Sequence, residues 1–270
     1  MISDAIVQKA GVQMPDTLNG YPFSAIDEQV FSKLQECTAS SIQASIARFR
    51  DRLSEIPVDS PPIPVSLGEN CGPGIKIRDA DQSPLGAMFF DNLVCPISST
   101  IELFKEDFRG ILSLRNLRVS KWEGSDSVFD DRYGIFYHHY FHLRPQRMEK
   151  SWYDNGIRRR RIDEADIPLF LPVVASQFAY LTEKLRLLLR SEHHTTLYLR
   201  RVEGEVVGSG VLSSLAHALK SWGAVNSDIR VIYSDRSIPE HHAPEAHYYI
   251  PEVGGRWGDV SRWKEVFVRA

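Results

Sequence analysis

The tightest constraint on the fold lies in the last third of the chain. There "TTLYLRRV", "VLSSLAHALKSWG" and "IRVIYS" follow one another. The first and third runs are rich in β-branched and aromatic residues, and the middle run repeats its apolar residues at helical spacing. Two strands joined through a helix pair in parallel, with a right-handed crossover. A parallel sheet is covered on both faces, so the rest of the chain must supply helices.

Earlier segments fit that demand. "IPVSLG" reads as a short apolar strand ending in glycine. "SSTIELFKEDFRGIL" reads as a helix capped by Ser98 or Ser99, with Ile101, Phe104, Phe108, Ile111 and Leu112 as its stripe. "LRVSKW" and "YGIFYHHYFHL" read as strands. "DIPLFLPVVASQFAYLTEKLRLLLRS" reads as a long helix beginning after its prolines, and "HYYIPEV" as a further strand. The expected class is α/β: a mostly parallel open sheet with helices on both faces, Rossmann-like.

Residues 1–57 read as a helical extension, with Val30, Leu34, Cys37, Ile42, Ile46 and Leu53 at near-helical spacing. The stiff run "VDSPPIP" marks the boundary to an α/β core domain over 58–270. The extension offers its helices to a protein partner. The net charge of −3 builds in no attraction to nucleic acid. No apolar run reaches the roughly 20 residues that span a bilayer, and the start lacks the pattern of a secretory signal. Three cysteines make no disulfide framework and point to a reducing compartment. The expectation is a cytoplasmic protein.

The candidate chemistry sits in "VSLGENCGPGIKIRD". A strand ends near Leu67, Pro73 suits the first turn of a following helix, and Cys71 lies in the turn between strand and helix. Ligands of parallel sheets sit beyond the carboxyl ends of the strands. The unpaired amides and dipole of a helix N-terminus favour a thiolate, and such placement lowers a cysteine pKa from about 8.5 into the range of roughly 3.5 to 7.5. Gly72 and Gly74 leave room for a substrate carbonyl. The amides of Cys71 and Gly72, with the Asn70 side chain, form a candidate oxyanion site. Cys37 and Cys95 read as buried core residues.

A thiolate nucleophile needs a base. Read as a strand, "GIFYHHYF" points His138 and His139 to opposite faces, leaving open which of the two serves. His138 and His142 share a face but lack the glutamate of a helical zinc motif, so no metal is expected. The pairs at 193–194 and 241–242 read as exposed. No cofactor is expected: the glycines at 204, 208 and 210 match neither dinucleotide nor P-loop fingerprints. "RRRR" at 158–161 reads as a solvated run, offset by Asp163, Glu164 and Asp166. Arg200 and Arg201, at the end of "LYLRR", are candidates for an anionic group of the substrate.

"SLGENC", "FFDNL" and "YGIFYHHYF", in that order, resemble a bacterial family described as papain-like cysteine peptidases of unknown function. Its members show a glycine, two residues and a cysteine, then Pro-Phe-Asp-Trp, then a strand ending His-Asp-Phe. Gly68 and Cys71 match the first element, Phe90 and Asp91 the second, and Tyr133, Gly134, Ile135, His139 and Phe141 the third. Phe89 replaces the proline, Asn92 the tryptophan and Tyr140 the aspartate. "LYLRRV" resembles a later strand whose arginine falls on Arg200, and "RWKEVF" resembles the family's closing Trp and Phe, here Trp263 and Phe267. The resemblance spans roughly 63 to 267. It implies Cys71 as nucleophile, His139 as base and Asp91 as an orienter.

The expected activity is therefore a cysteine-dependent hydrolase or acyl transferase acting on a peptide, small molecule or glycan. The alternative is a non-catalytic or transferase-associated module that binds a glycan or sugar nucleotide through Arg200, Arg201 and the aromatic C-terminus. Against it, tryptophans near a chain end pack readily onto a core.

Overall fold

The computed structural model describes residues 39–68, 71–80, 84–141, 153–154, 157–158, 162–200, 207–233, 247–249 and 260–268. The architecture is mixed α/β, with a parallel sheet and a separate antiparallel one. Among the described residues the elements run α1 (Ala39–Ser54), β1 (Ile63–Ser66), α2 (Gly72–Asp79), α3 (Ile97–Lys105), β2 (Leu117–Trp122), β3 (Ser125–Asp130) and β4 (Ile135–Tyr137). They continue with β5 (Tyr153–Asp154), β6 (Ile157–Arg158), α4 (Asp166–Leu189), β7 (Thr195–Arg200), α5 (Ser209–Trp222), β8 (Ser227–Tyr233), β9 (His247–Tyr249) and α6 (Val260–Val268). The chain divides into two compact units. One takes residues up to 48, 110–132 and 136–180; the other takes 49–109, 133–135 and 181 onward.

The second unit holds the parallel sheet, in the order β1-β7-β8-β9. The expected strand–helix–strand unit is there: Thr195 pairs with Ser227 and Arg200 with Ile232, in parallel. β1 joins on the other side, Ile63 opposite Thr195 and Ser66 opposite Tyr198. The order never reverses among the described strands, so no switch point of the kind that makes a nucleotide crevice is formed by them. Residues 195–199 are all fully buried, as a central parallel strand requires. One face carries Tyr198 and Ile232 against Ile77 of α2, its C-cap Ala80, and Trp263, Val266 and Phe267 of α6. Arg230, on β8, donates to the Val266 carbonyl at 3.1 Å and lies over the Tyr248 ring. It thereby satisfies a carbonyl in the last turn of α6, where a cation also suits the helix dipole.

The first unit contains β2 and β3 as an antiparallel hairpin, with Leu117 opposite Asp130 and Trp122 opposite Ser125. Glu123 and Gly124, at φ +48 and +79, close it in two residues, the geometry that matches strand twist. β3 is a strand the sequence reading did not include. The outer edge of β2 is blunted: the Val119 amide donates to a Glu164 carboxylate oxygen at 2.8 Å.

Four local expectations are corrected. The strand "GIFYHHYF" ends at Tyr137, and a turn follows in which the Tyr140 amide donates to the Tyr137 carbonyl. Strand alternation therefore does not govern His138 and His139. The helix over "SSTIELFKEDFRGIL" begins at Ile97 with Pro96 as its N-cap and ends at Lys105. Ser99 is inside it, its hydroxyl donated to the Tyr133 carbonyl. α4 starts before its prolines: Pro168 occupies the first turn, where a missing amide hydrogen costs nothing, and Pro172 lies inside the helix. His193 is buried, with Nε2 2.9 Å from the Ile56 carbonyl and Nδ1 3.1 Å from the Ser191 hydroxyl. His194 sits 2.9 Å from the Asp228 carboxylate.

Candidate active site

β1 and α2 flank the Cys71 turn. β1 ends at Ser66, the Leu67 amide closes onto the Tyr198 carbonyl at 2.8 Å, and Gly68 turns the chain at φ +93. That φ favours glycine, and space demands it as well. A Cβ on Gly68 would lie 3.2 Å from Cys95 Cβ and 3.4 Å from the Phe90 ring. Residues 69 and 70, and with them the Asn70 candidate, fall outside the described residues. Cys71 is the N-cap of α2, half-buried, with no side-chain cap bond; Gly72 and Pro73 begin the helix. The Ile75 amide returns to the Cys71 carbonyl at 3.0 Å. Cys71 thus stands at the start of α2, half-buried and directly before Gly72.

Asp91 is packed against this first turn. A Cβ on Gly74 would lie 2.8 Å from Asp91 Cγ and Oδ1 and 2.9 Å from its Cα. The last of these is backbone, so no rotamer change relieves it. Asp91 is buried; its Oδ2 accepts the Met88 amide at 2.9 Å and faces Arg78, from α2, at 3.4 Å. Burial pushes this carboxyl up, while the Met88 amide, Arg78 and Lys184 pull it back.

Lys184 is the residue sequence reading missed. It is only 4 % exposed, and its ammonium donates to the carbonyls of Leu85 and Ala87, at 2.6 Å each. The Phe49 ring of α1 lies 5.2 Å away. Burial lowers its pKa to about 8, with Asp91 raising it and Arg52 lowering it further. A lysine in an otherwise ordinary amphipathic helix gives no sequence signal of such a role, because what buries it is a loop about a hundred residues upstream. The Leu85–Asp91 loop is thus clamped at one end by Lys184 and locked at the other against α2.

Cys95 is fully buried, as expected, its sulfur 3.4 Å from the Thr100 hydroxyl. His139 is exposed in the turn after β4, its ring 5.0 Å from that of His138. It belongs to the first compact unit, whereas Cys71, Gly72 and Asp91 belong to the second. Arg200 ends β7 in the second unit. Arg201, His142, His241, His242 and Cys37 lie outside the described residues, as do the side chain of Arg158 and residues 159–161. Trp263 is 1 % exposed in the core under α6, so it is no surface platform for a sugar. Among the described residues no cluster of ligands fit for a metal ion occurs, and no helix is long and apolar enough to cross a membrane.

No family model matches the chain, and neither a curated protein nor a solved structure matches it.

Proposed function

We propose that the chain is a cysteine-dependent hydrolase or acyl transferase with Cys71 as its nucleophile, related to the papain-like peptidases its motifs resemble. The observation that carries this reading is the half-buried sulfur at the N-cap of α2, just past the carboxyl end of β1 and followed by Gly72. In the proposed reaction the Cys71 thiolate attacks a substrate carbonyl and an oxyanion forms against backbone amides at the start of α2. A protonated general base then protonates the leaving group. Water, or another nucleophile, gives its proton to that base and displaces the acyl group from sulfur. Asp91 we read as a buttress of the α2 first turn, since Met88 and Arg78 occupy its Oδ2.

The test is the rate of Cys71 alkylation against pH, followed by labelling with an acyl-directed electrophile and by Cys71→Ala. The reading expects a plateau well below the ordinary thiol range and loss of labelling in the variant. An alkylation curve that rises only near pH 8.5, together with any activity surviving in Cys71→Ala, overturns it.

A further inference from the structure

The segment after α3 carries two conflicting instructions. In sequence, Phe108, Ile111 and Leu112 continue the helical stripe begun by Ile101 and Phe104. In the fold the helix stops at Lys105. The Phe108 amide reaches back to the Leu103 carbonyl at 2.8 Å, the six-to-one bond of a Schellman stop. The left-handed position of that motif normally belongs to glycine. Here Asp107 and Phe108 take φ +53 and +57 in succession, and Leu112 takes +58. Aspartate tolerates this region; a bulky phenylalanine does not do so readily.

One side chain ties the stopped state down. Asp107 Oδ1 accepts from the Trp222 indole at 2.7 Å and from Arg186 at 2.7 Å, joining the segment to α5 and α4. The other charged groups facing this cluster are Glu183, 2.6 Å from the second Arg186 nitrogen, Arg109 from the segment itself, and Arg190, which donates to the Trp222 carbonyl. Partial burial pushes the Asp107 carboxyl up, but Trp222 and Arg186 outweigh it and hold the group below its usual range. The aromatic ring of Phe108 adds packing on Phe89 at 4.7 Å and on Trp222 at 5.3 Å. Against the stop stand the left-handed residues and the helical bonds forgone. Gly110 weakens the continued helix and keeps it from dominating.

We propose that residues 106–112 form a two-state segment. In one state α3 is stopped, caught by the Asp107 carboxylate on Trp222 and Arg186. In the other, α3 runs on toward Leu112. Loss of the carboxylate tips the segment into the continued helix.

Asp107→Ala tests this, read by backbone 13Cα shifts and amide exchange over 106–112. The expected result is helical shifts at 107–112 and amide exchange at 109–112 slowed by about tenfold or more, with the parallel-sheet residues unmoved. Shifts at 107 and 108 that stay left-handed, or that go to random-coil values, overturn the proposal. Should that variant fail to fold, Trp222→Phe keeps the ring and removes the N–H. It is expected to move the same shifts part of the way, and unchanged shifts there overturn the proposal equally.

Discussion

Two helices in the second unit begin next to a cysteine, and they treat it in opposite ways. At α2 the cysteine is the cap itself, half-open, with glycine after it. At α3 the cysteine precedes a proline cap and is fully buried, its sulfur against Thr100. Gly68 touches the second and lies three residues before the first. The residue type and the neighbourhood are shared, so neither explains the difference. The neighbouring chain differs: at α2 the Leu85–Asp91 loop, clamped by Lys184, approaches the helix backbone at Gly74, and Cys71 is part-exposed. Position beside a helix N-terminus is thus common to both cysteines, and packing decides which of them solvent reaches.

The largest expected contrast is chemical. In the folded protein Cys71 should alkylate about 1000 times faster than Cys95, which must wait for the structure to open. Peptide mass spectrometry after timed iodoacetamide treatment reads both, and similar rates would erase the distinction. Next comes the close approach at α2. Gly74→Ala should cost about 3 kcal/mol in urea denaturation, since its Cβ meets Asp91 backbone. Gly210→Ala, at a helical position where a Cβ meets nothing, should gain about 0.5 kcal/mol. A mild Gly74→Ala would mean that the loop gives way.

The clamp itself is third. Lys184→Met leaves the Leu85 and Ala87 carbonyls without their donor and should cost about 2 kcal/mol near pH 7. Its pH signature separates it from generic damage. The folded pKa of about 8 lies below the ordinary 10.5, so the unfolded chain holds more protons between these values. Lys184 therefore adds stability as pH rises through that window, and the addition is lost as pH falls through 8. The methionine variant should flatten that slope, measured as urea midpoints from pH 7 to 11. The smallest effect is at sulfur: Cys95→Ser should lose about 1 kcal/mol by burying a hydroxyl, while Cys71→Ser loses less than about 0.5.

Periodicity made the parallel unit legible, because "TTLYLR", "VLSSLAHALKSW" and "IRVIY" each obey one period from end to end. β1 was legible for the same reason, and so was the turn holding Cys71, marked by Gly68 and Pro73. The end of α3 was not. Its stripe continues past the stop, where Asp107 is bonded to Trp222 and Arg186, partners distant in sequence. β3 escaped because "SDSVFD" has weak strand propensity; the two-residue Glu123–Gly124 turn, followed by pairing with β2, makes it a strand. His193 looked exposed beside polar neighbours, yet it reaches the Ile56 carbonyl. Lys184 and the Gly74–Asp91 contact were invisible for the same reason: each depends on a remote segment.

The pairing of Ile63 with Thr195 sets a timetable for synthesis. β1 leaves the ribosome long before the strand that holds it, with the whole antiparallel hairpin and α4 still to come. Until Thr195 emerges, the apolar strand that leads to Cys71 has no parallel partner, and long-range pairing of this kind is slow to form. Nascent chains that stop before Thr195 should therefore lack the ordered cysteine turn, and Cys71 would settle into place only once β7 has emerged.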